Sequence, residues 1–381
     1  MTTYTGLDPA TGRLLAVEVG DGRILSVAES SGDLAGAGWL APGLVDLQVN
    51  GFGGFDVNGP EVTADTVIEL VRALAVAGTT TFVPTVITAS EADIVRSLQA
   101  IAAARSVDPA TRSAIPFAHV EGPHLSPDDG PRGVHPVEHI RPPDVAEFTR
   151  WQEASGGLVG MVTLSPHHPA SAEYVRALSS AGVLVAVGHT AATPDEIIAA
   201  VDAGATLSTH LGNGADAVLP RHPNYLWTQL ADDRLTAGFI ADGHHLPGDT
   251  LTAMLRAKGL DRSILVSDSV ALAGSPPGDY RTPVGGTVQL TESGRLSYAG
   301  TPYLAGAARS LADCVATATE LGRIRLADAI RLATANPGRF VGGRGELRPG
   351  EPADLIEFDW APGDKVLRLR KVVQAGQEVG R

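Results

Sequence analysis

A chain of 381 residues, 44% of them apolar, is long enough for one large barrel or two ordinary domains with a sizeable core. Its formal charge of −14 argues against a nucleic-acid partner or an anionic membrane surface, yet leaves room for a small anionic ligand on a local cationic patch. Cys314 is the single cysteine, so no internal disulfide and no thiolate metal cluster can form within the chain.

The opening, MTTYTGLDPATG, is polar and lacks the apolar segment of a signal peptide. No run of about twenty apolar residues follows it. The expectation is a cytoplasmic protein that does not span a membrane. Residues 12–29, GRLLAVEVGDGRILSVAE, read as two strands joined at Gly20-Asp21-Gly22, a hairpin signal. The tail, with ADLIEFD and KVLRLRKVVQAGQEV, has the same character. Neither end has enough strands to bury a core alone. The two are expected to form one small discontinuous β-sandwich domain, residues 1–41 with 341–381.

Between them, residues 42–340 alternate β-branched runs with Ala/Leu-rich stretches. Eight strands are expected: Gly43–Val49, Thr79–Pro84, Pro116–Val120, Val159–Leu164, Val183–Val187, Thr206–Thr209, Thr236–Ile240 and Ile264–Val266. Helices such as Ala64–Ala77 and Ser171–Ala181 fill the gaps. Eight β/α units suggest a TIM (β/α)8 barrel of the α/β class. An open doubly wound sheet is the alternative. It calls for Gly-x-Gly-x-x-Gly after the first strand, and GFGGFDVNG lacks that spacing.

In such a barrel the chemistry sits at the carboxyl ends of the strands. The first strand places Asp46, Gln48 and Asn50 on one face, since strand side chains alternate with period two. The third ends among His119, Glu121 and His124, the fifth at His189, and the sixth at His210 and Asn213. The seventh ends at Asp242, His244 and His245, and the eighth at Asp268. Six of the 11 histidines therefore fall at strand ends, which random scatter does not favour. Each has a plain explanation alone: a histidine beside glycine as a hydrogen-bonded loop residue, Asp268 before serine as a helix cap. One carboxylate and two imidazoles converging in a barrel mouth would instead form a three-ligand set with an open coordination position, as in catalytic zinc sites.

These motifs resemble the amidohydrolase superfamily, and within it the N-acetylglucosamine-6-phosphate deacetylase family. The resemblance runs from PGLVDLQVNG (42–51) through VEGPHL (120–125), VGHT (187–190) and THLGNG (209–214). It continues in FIADGHHL (239–246), LVSDSVALAG (265–274) and YLAGAA (303–308), then in ATANPGRFVG and GELRPGEPADLIEFD. It implies Glu121, His189 and His210 as metal ligands and Asp268 as the catalytic aspartate. His245 would contact the substrate and polarise its carbonyl, with His244 structural. His135, Asn213, Gly214, Arg221 and Leu304, Ala305, Gly306 and Ala307 match substrate-contacting positions. Arg221 would act on a sugar phosphate, in its own subunit or across a dimer.

Many amidohydrolases end their first strand with His-x-His, which binds a second metal. Here Gln48 and Asn50 stand in those places, and neutral amides are poorer donors to a zinc-like ion. One divalent ion per subunit is expected, zinc first, with Fe2+, Co2+ or Mn2+ as alternatives. Gln48 and Asn50 would line the pocket or orient waters. Two departures bear on the sugar. His210-Leu-Gly-Asn213-Gly214-Ala stands where relatives often have His-x-x-Asn-Ala-Met, and Ser165-Pro166-His167 stands for Ala-Pro-Glu. The implied reaction is deacetylation of N-acetylglucosamine 6-phosphate by a homodimer or larger homo-oligomer. The competing readings are an amidohydrolase acting on another N-acyl sugar, an N-acyl amino acid or a cyclic amide, and a non-enzymatic binding barrel.

Overall fold

The computed structural model describes residues 1–32, 36–282, 286–301 and 303–380. Residues 33–35 and 381 of the expected terminal domain lie outside the described residues.

Eight parallel strands follow one another around a barrel. They are Leu44–Val49, Thr79–Ile87, Ala118–Glu121, Val159–Leu164, Leu184–Val187, Leu207–Ser208, Thr236–Phe239 and Ser263–Leu265. Each pairs with the next in sequence. The eighth returns to the first through a parallel bridge between Val49 and Ser269. Asp268 N donates to Gln48 O (3.0 Å) and Asn50 N to Ser269 O (2.8 Å), closing the seam. The fold is therefore the expected TIM barrel.

The helices between strands form for local reasons. In Ala64–Val76 the buried Val67, Leu70, Val71 and Leu74 fall at i, i+3, i+4 and i+7, one stripe facing the strands. Thr63 caps it, its hydroxyl accepting from Thr66 N. Gly78, at φ +89°, then turns the chain back into the second strand. The helix Ser171–Ser180 likewise buries Tyr174, Val175 and Leu178.

Both chain ends build one seven-stranded sheet. Leu14–Gly20 pairs antiparallel with Arg23–Glu29 in the expected hairpin, its loop reduced to Asp21-Gly22, both at positive φ. Trp39–Pro42 pairs with Leu355–Asp359, so the N-terminal and C-terminal strands are direct neighbours. Alternation then sorts the side chains. Leu40, Leu355 and Val373 join Tyr4, Val17, Val19 and Ile24 in a core of their own. Their neighbours Ala41, Ile356 and Val372 turn to the opposite face, among the barrel's Leu326 and Ile330. The sheet curls far enough for Arg23 to bridge Pro352.

One element was not anticipated. After the eighth strand, Gly278–Thr282, Gly286–Leu290, Arg295–Tyr298 and Leu304–Ala307 form an antiparallel four-stranded sheet. Its apolar core is small: Val288, Leu290, Leu296 and Ala308. Its last strand is tied to the barrel mouth, where Val270 N donates to Ala307 O (3.0 Å).

Candidate active site

The third, fifth and sixth strands end with Glu121, His189 and His210 converging at the barrel mouth, all three buried. Glu121 Oε1 lies 3.5 Å from His189 Nε2 and 3.2 Å from His210 Nε2. The two imidazole Nε2 atoms are 3.0 Å apart. A tetrahedral ion about 2.0–2.1 Å from each ligand holds them about 3.3–3.4 Å apart, so the spacing is that of a coordination shell. The tautomer fits as well. His189 Nδ1 donates to Pro131 O (2.8 Å), leaving the Nε2 lone pair directed at the centre. The donor set fits a divalent cation.

The backbone reinforces this placement. His189, His210 and Asp268 have φ of 48°, 25° and 49°, a left-handed conformation uncommon outside glycine. They make up half of the six such non-glycine residues among those described. Each lies just past the end of its strand, where the turn swings the side chain over the mouth.

Asp268 is half-buried, and its desolvation followed by the nearby Glu121 raises its carboxyl to about 6. Burial also disfavours charge on Glu121, but the two histidines outweigh it and hold that carboxylate well below its usual range. His245 Nδ1 is 2.7 Å from Asp242 Oδ2. Burial opposes the Asp242 charge, yet the His245 contact and the backbone amides of His244 and His245 bring it down to about 2. His135 Nε2 stands 3.3 Å from His189 Nε2, and His135 Nδ1 meets the Thr88 hydroxyl at 2.9 Å. Burial lowers His135 to about 3, so it is a neutral imidazole. Gln48 Nε2 donates to Glu121 Oε1 (2.9 Å), and Asn50 Nδ2 to Asp268 Oδ1 (2.8 Å).

A family model, the amidohydrolase family, matches residues 39–379. The chain belongs to the amidohydrolase family. This amidohydrolase is 32% identical to the N-acetylgalactosamine-6-phosphate deacetylase of Shewanella sp. (strain ANA-3), over 95% of its own length and 91% of the relative's. It is 30% identical to the N-acetylglucosamine-6-phosphate deacetylase of Bacillus subtilis (strain 168), over 83% and 80%. Among solved structures, it superposes on the N-acetyl-D-glucosamine-6-phosphate deacetylase of Mycobacterium smegmatis with a TM-score of 0.87, at 30% identity, covering 99% and 98% of the two chains. A mutant of that enzyme in complex with N-acetyl-D-glucosamine-6-phosphate matches with a TM-score of 0.85.

The other expected residues fall in two groups in the amidohydrolase. Asn213 follows His210 in one turn, its N donating to His210 O (3.0 Å). Gly214 is packed so close that a Cβ would lie 2.6 Å from His189 Nδ1, at φ +55°, which accounts for glycine there. Leu304–Ala307 is the strand bound beside Ser269 and Val270, next to Asp268. Arg221 is different. It is exposed and makes no hydrogen bond or ion pair among the described residues. His244 joins the inserted sheet, its Nε2 lying 3.0 Å from Ser293 O. His124 and His119 stand apart from the centre. His124 packs on Trp151 and Tyr174, and His119 is buried between Thr85 and Thr163 inside the barrel.

Pro131 and Thr88 support this cluster without having been singled out in the sequence. One acts through a carbonyl and the other through a common hydroxyl, so neither leaves a signature. No described helix is long and apolar enough to cross a membrane.

Proposed function

We propose that this amidohydrolase removes the acetyl group from N-acetylglucosamine 6-phosphate, giving glucosamine 6-phosphate and acetate, with one divalent ion per subunit. The carrying observation is the buried Glu121–His189–His210 cluster in the barrel mouth beside Asp268. The activities of the Bacillus and Mycobacterium relatives support the same reading. Zinc suits a His2Glu donor set, and Fe2+, Co2+ and Mn2+ bind the same ligands.

A divalent ion held there supplies Lewis acidity toward the amide carbonyl and lets water ionise near neutral pH. The chain's own groups do the rest. Asp268 takes the proton of the attacking water and delivers it to the departing nitrogen, so the amine leaves neutral. His245, held through Nδ1 by the ionised Asp242, faces the carbonyl oxygen and stabilises the charge that develops on it. His135 is neutral and acts as a polar wall for the substrate. Asn213, Gly214 and the Leu304–Ala307 strand contact the sugar. Arg221, exposed and unpaired among the described residues, receives the phosphate with its planar fork of donors. Its exposure favours service to a neighbouring subunit in a homodimer. A phosphorylated sugar does not cross a bilayer unaided, which supports a cytoplasmic reaction.

A second reading has its own support. N-Acetylgalactosamine-6-phosphate deacetylases are among the relatives, at 32% identity in Shewanella and 31% in Escherichia coli O157:H7. The Asn213-Gly214 departure changes the pocket wall and so bears on which sugar is preferred. Acetate release from the two 6-phosphates and from unphosphorylated N-acetylglucosamine separates these readings. The glucosamine derivative should lead, with kcat/KM about 100-fold above the unphosphorylated sugar, which corresponds to about 2.7 kcal/mol of phosphate recognition. Equal values with and without phosphate would remove the phosphate reading. A preference for the galactosamine derivative would select the second.

A further inference from the structure

Asp46, Gln48 and Asn50 occupy one face of the first barrel strand, and each is spent on a different neighbour. Asp46 accepts from Ser267 N (3.2 Å), which anchors the backbone just ahead of Asp268. Gln48 Nε2 reaches across the mouth to Glu121 Oε1 (2.9 Å) on the third strand. Asn50 Nδ2 reaches the other way, to Asp268 Oδ1 (2.8 Å) past the eighth. We infer that Gln48 and Asn50 are positioning residues: Gln48 orients Glu121 for the bound cation, and Asn50 orients Asp268 for proton transfer.

The chemistry of the two amides suits these separate tasks. Glu121 Oε1 is the oxygen that faces His189 and His210. With one lone pair committed to Gln48, the other is directed at the centre. The opposite amide orientation would set the Gln48 carbonyl oxygen against a carboxylate, so the donor is fixed. Asn50 follows the same logic. Its donor holds Asp268 Oδ1, leaving Oδ2 for the reacting water. Among the described residues the buried Asn50 Oδ1 atom has no hydrogen-bond partner, so of those residues Asp268 sets the orientation of that amide. An amide nitrogen also donates at every pH, whereas a neutral imidazole donates from one nitrogen only. Neither Gln48 nor Asn50 touches the reacting atoms in this arrangement.

The assignment rests on the metal-dependent reading of the site, and the experiment separates the two. Zinc affinity is measured by titration of the chelator-treated full-length chain, alongside kcat, KM, the visible spectrum of the cobalt-loaded protein and the melting temperature of the apoprotein. Gln48→Met keeps length and removes the donor. It should weaken zinc binding about 10–100-fold and alter the cobalt spectrum. Asn50→Leu should leave zinc affinity within about threefold and KM within about threefold while kcat falls about 10–100-fold. Should either fail to fold, Gln48→Asn and Asn50→Ser draw the polar group out of reach and are read by the same criteria. Zinc binding by Gln48→Met within about threefold of the parent, or kcat of Asn50→Leu within about threefold, overturns the proposal. So does a common loss in both variants that tracks a lower apoprotein melting temperature, since that is a structural effect. Failure of the parent chain to bind any divalent ion sinks the metal reading itself and the proposal with it.

Discussion

Asp268 combines three features that rarely coincide in one residue: a left-handed backbone, a half-buried place in the barrel mouth and a carboxyl raised to about 6. A strained, desolvated carboxylate costs stability, and such costs gather where function requires them. Its charge was legible as a strand-end acid, as were those of Glu121, His189 and His210, because a barrel turns strand ends into neighbours. The partners that hold them were not. Gln48 and Glu121 are 73 positions apart, and nothing local in either segment announces their hydrogen bond. The role proposed for Asp268 predicts that Asp268→Asn folds and binds one equivalent of zinc but loses roughly 10²–10⁴-fold in kcat, the usual worth of a general acid–base group. Steady-state turnover with metal analysis checks it, and near-parent turnover would reassign the proton transfer.

The first barrel strand shows what an element can carry beyond its core-facing residues. All six residues of Leu44–Val49 are buried, including Asp46 and Gln48. Burial raises Asp46 to about 7 from an ordinary 3.8, against the pull of hydrogen bonds from Ser267 and Gln48. The folded chain therefore holds this proton more tightly than the unfolded chain between those two values. That stabilisation is complete below about pH 4 and is lost as pH rises through 7. Asp46→Asn removes the titration. The unfolding free energy of the parent should fall relative to the variant by on the order of 4 kcal/mol from pH 4 to 7, then run parallel above it. Chemical unfolding of both metal-free proteins across that range measures it, and parallel curves throughout would show that Asp46 does not titrate there. At this scale the barrel strands were legible because each is a buried β-branched run between helical stretches. The inserted sheet was not. Its strand Gly286–Leu290 buries only Val288 and Leu290, and the surrounding Gly, Pro and polar residues read as loop.

Across the whole molecule, two closures hold the chain together. The terminal sheet joins the chain ends and packs Ile356 and Phe358 in one cluster with Leu326, Ile330 and Leu332, so the last strands brace the barrel's final helices. The barrel mouth is closed differently, by side chains that converge from the third, fifth and sixth strands. A cation bound there links strands that are distant in sequence and exists only in the folded state, so it acts as a stabilising ligand. The histidines already contact one another and Glu121, so the chelator-treated chain should keep its fold. Zinc added to about 100 times its dissociation constant should add about 2.7 kcal/mol. For a chain of this size that raises the melting temperature by roughly 3 °C. Magnesium, which prefers an all-oxygen octahedral shell, should produce a smaller shift at equal concentration. Thermal unfolding with zinc, magnesium and chelator, together with titration calorimetry for the stoichiometry, measures both effects. A melting temperature indifferent to zinc, with no equivalent bound, would mean that Glu121, His189 and His210 are held together by their own hydrogen bonds and not by a shared ion.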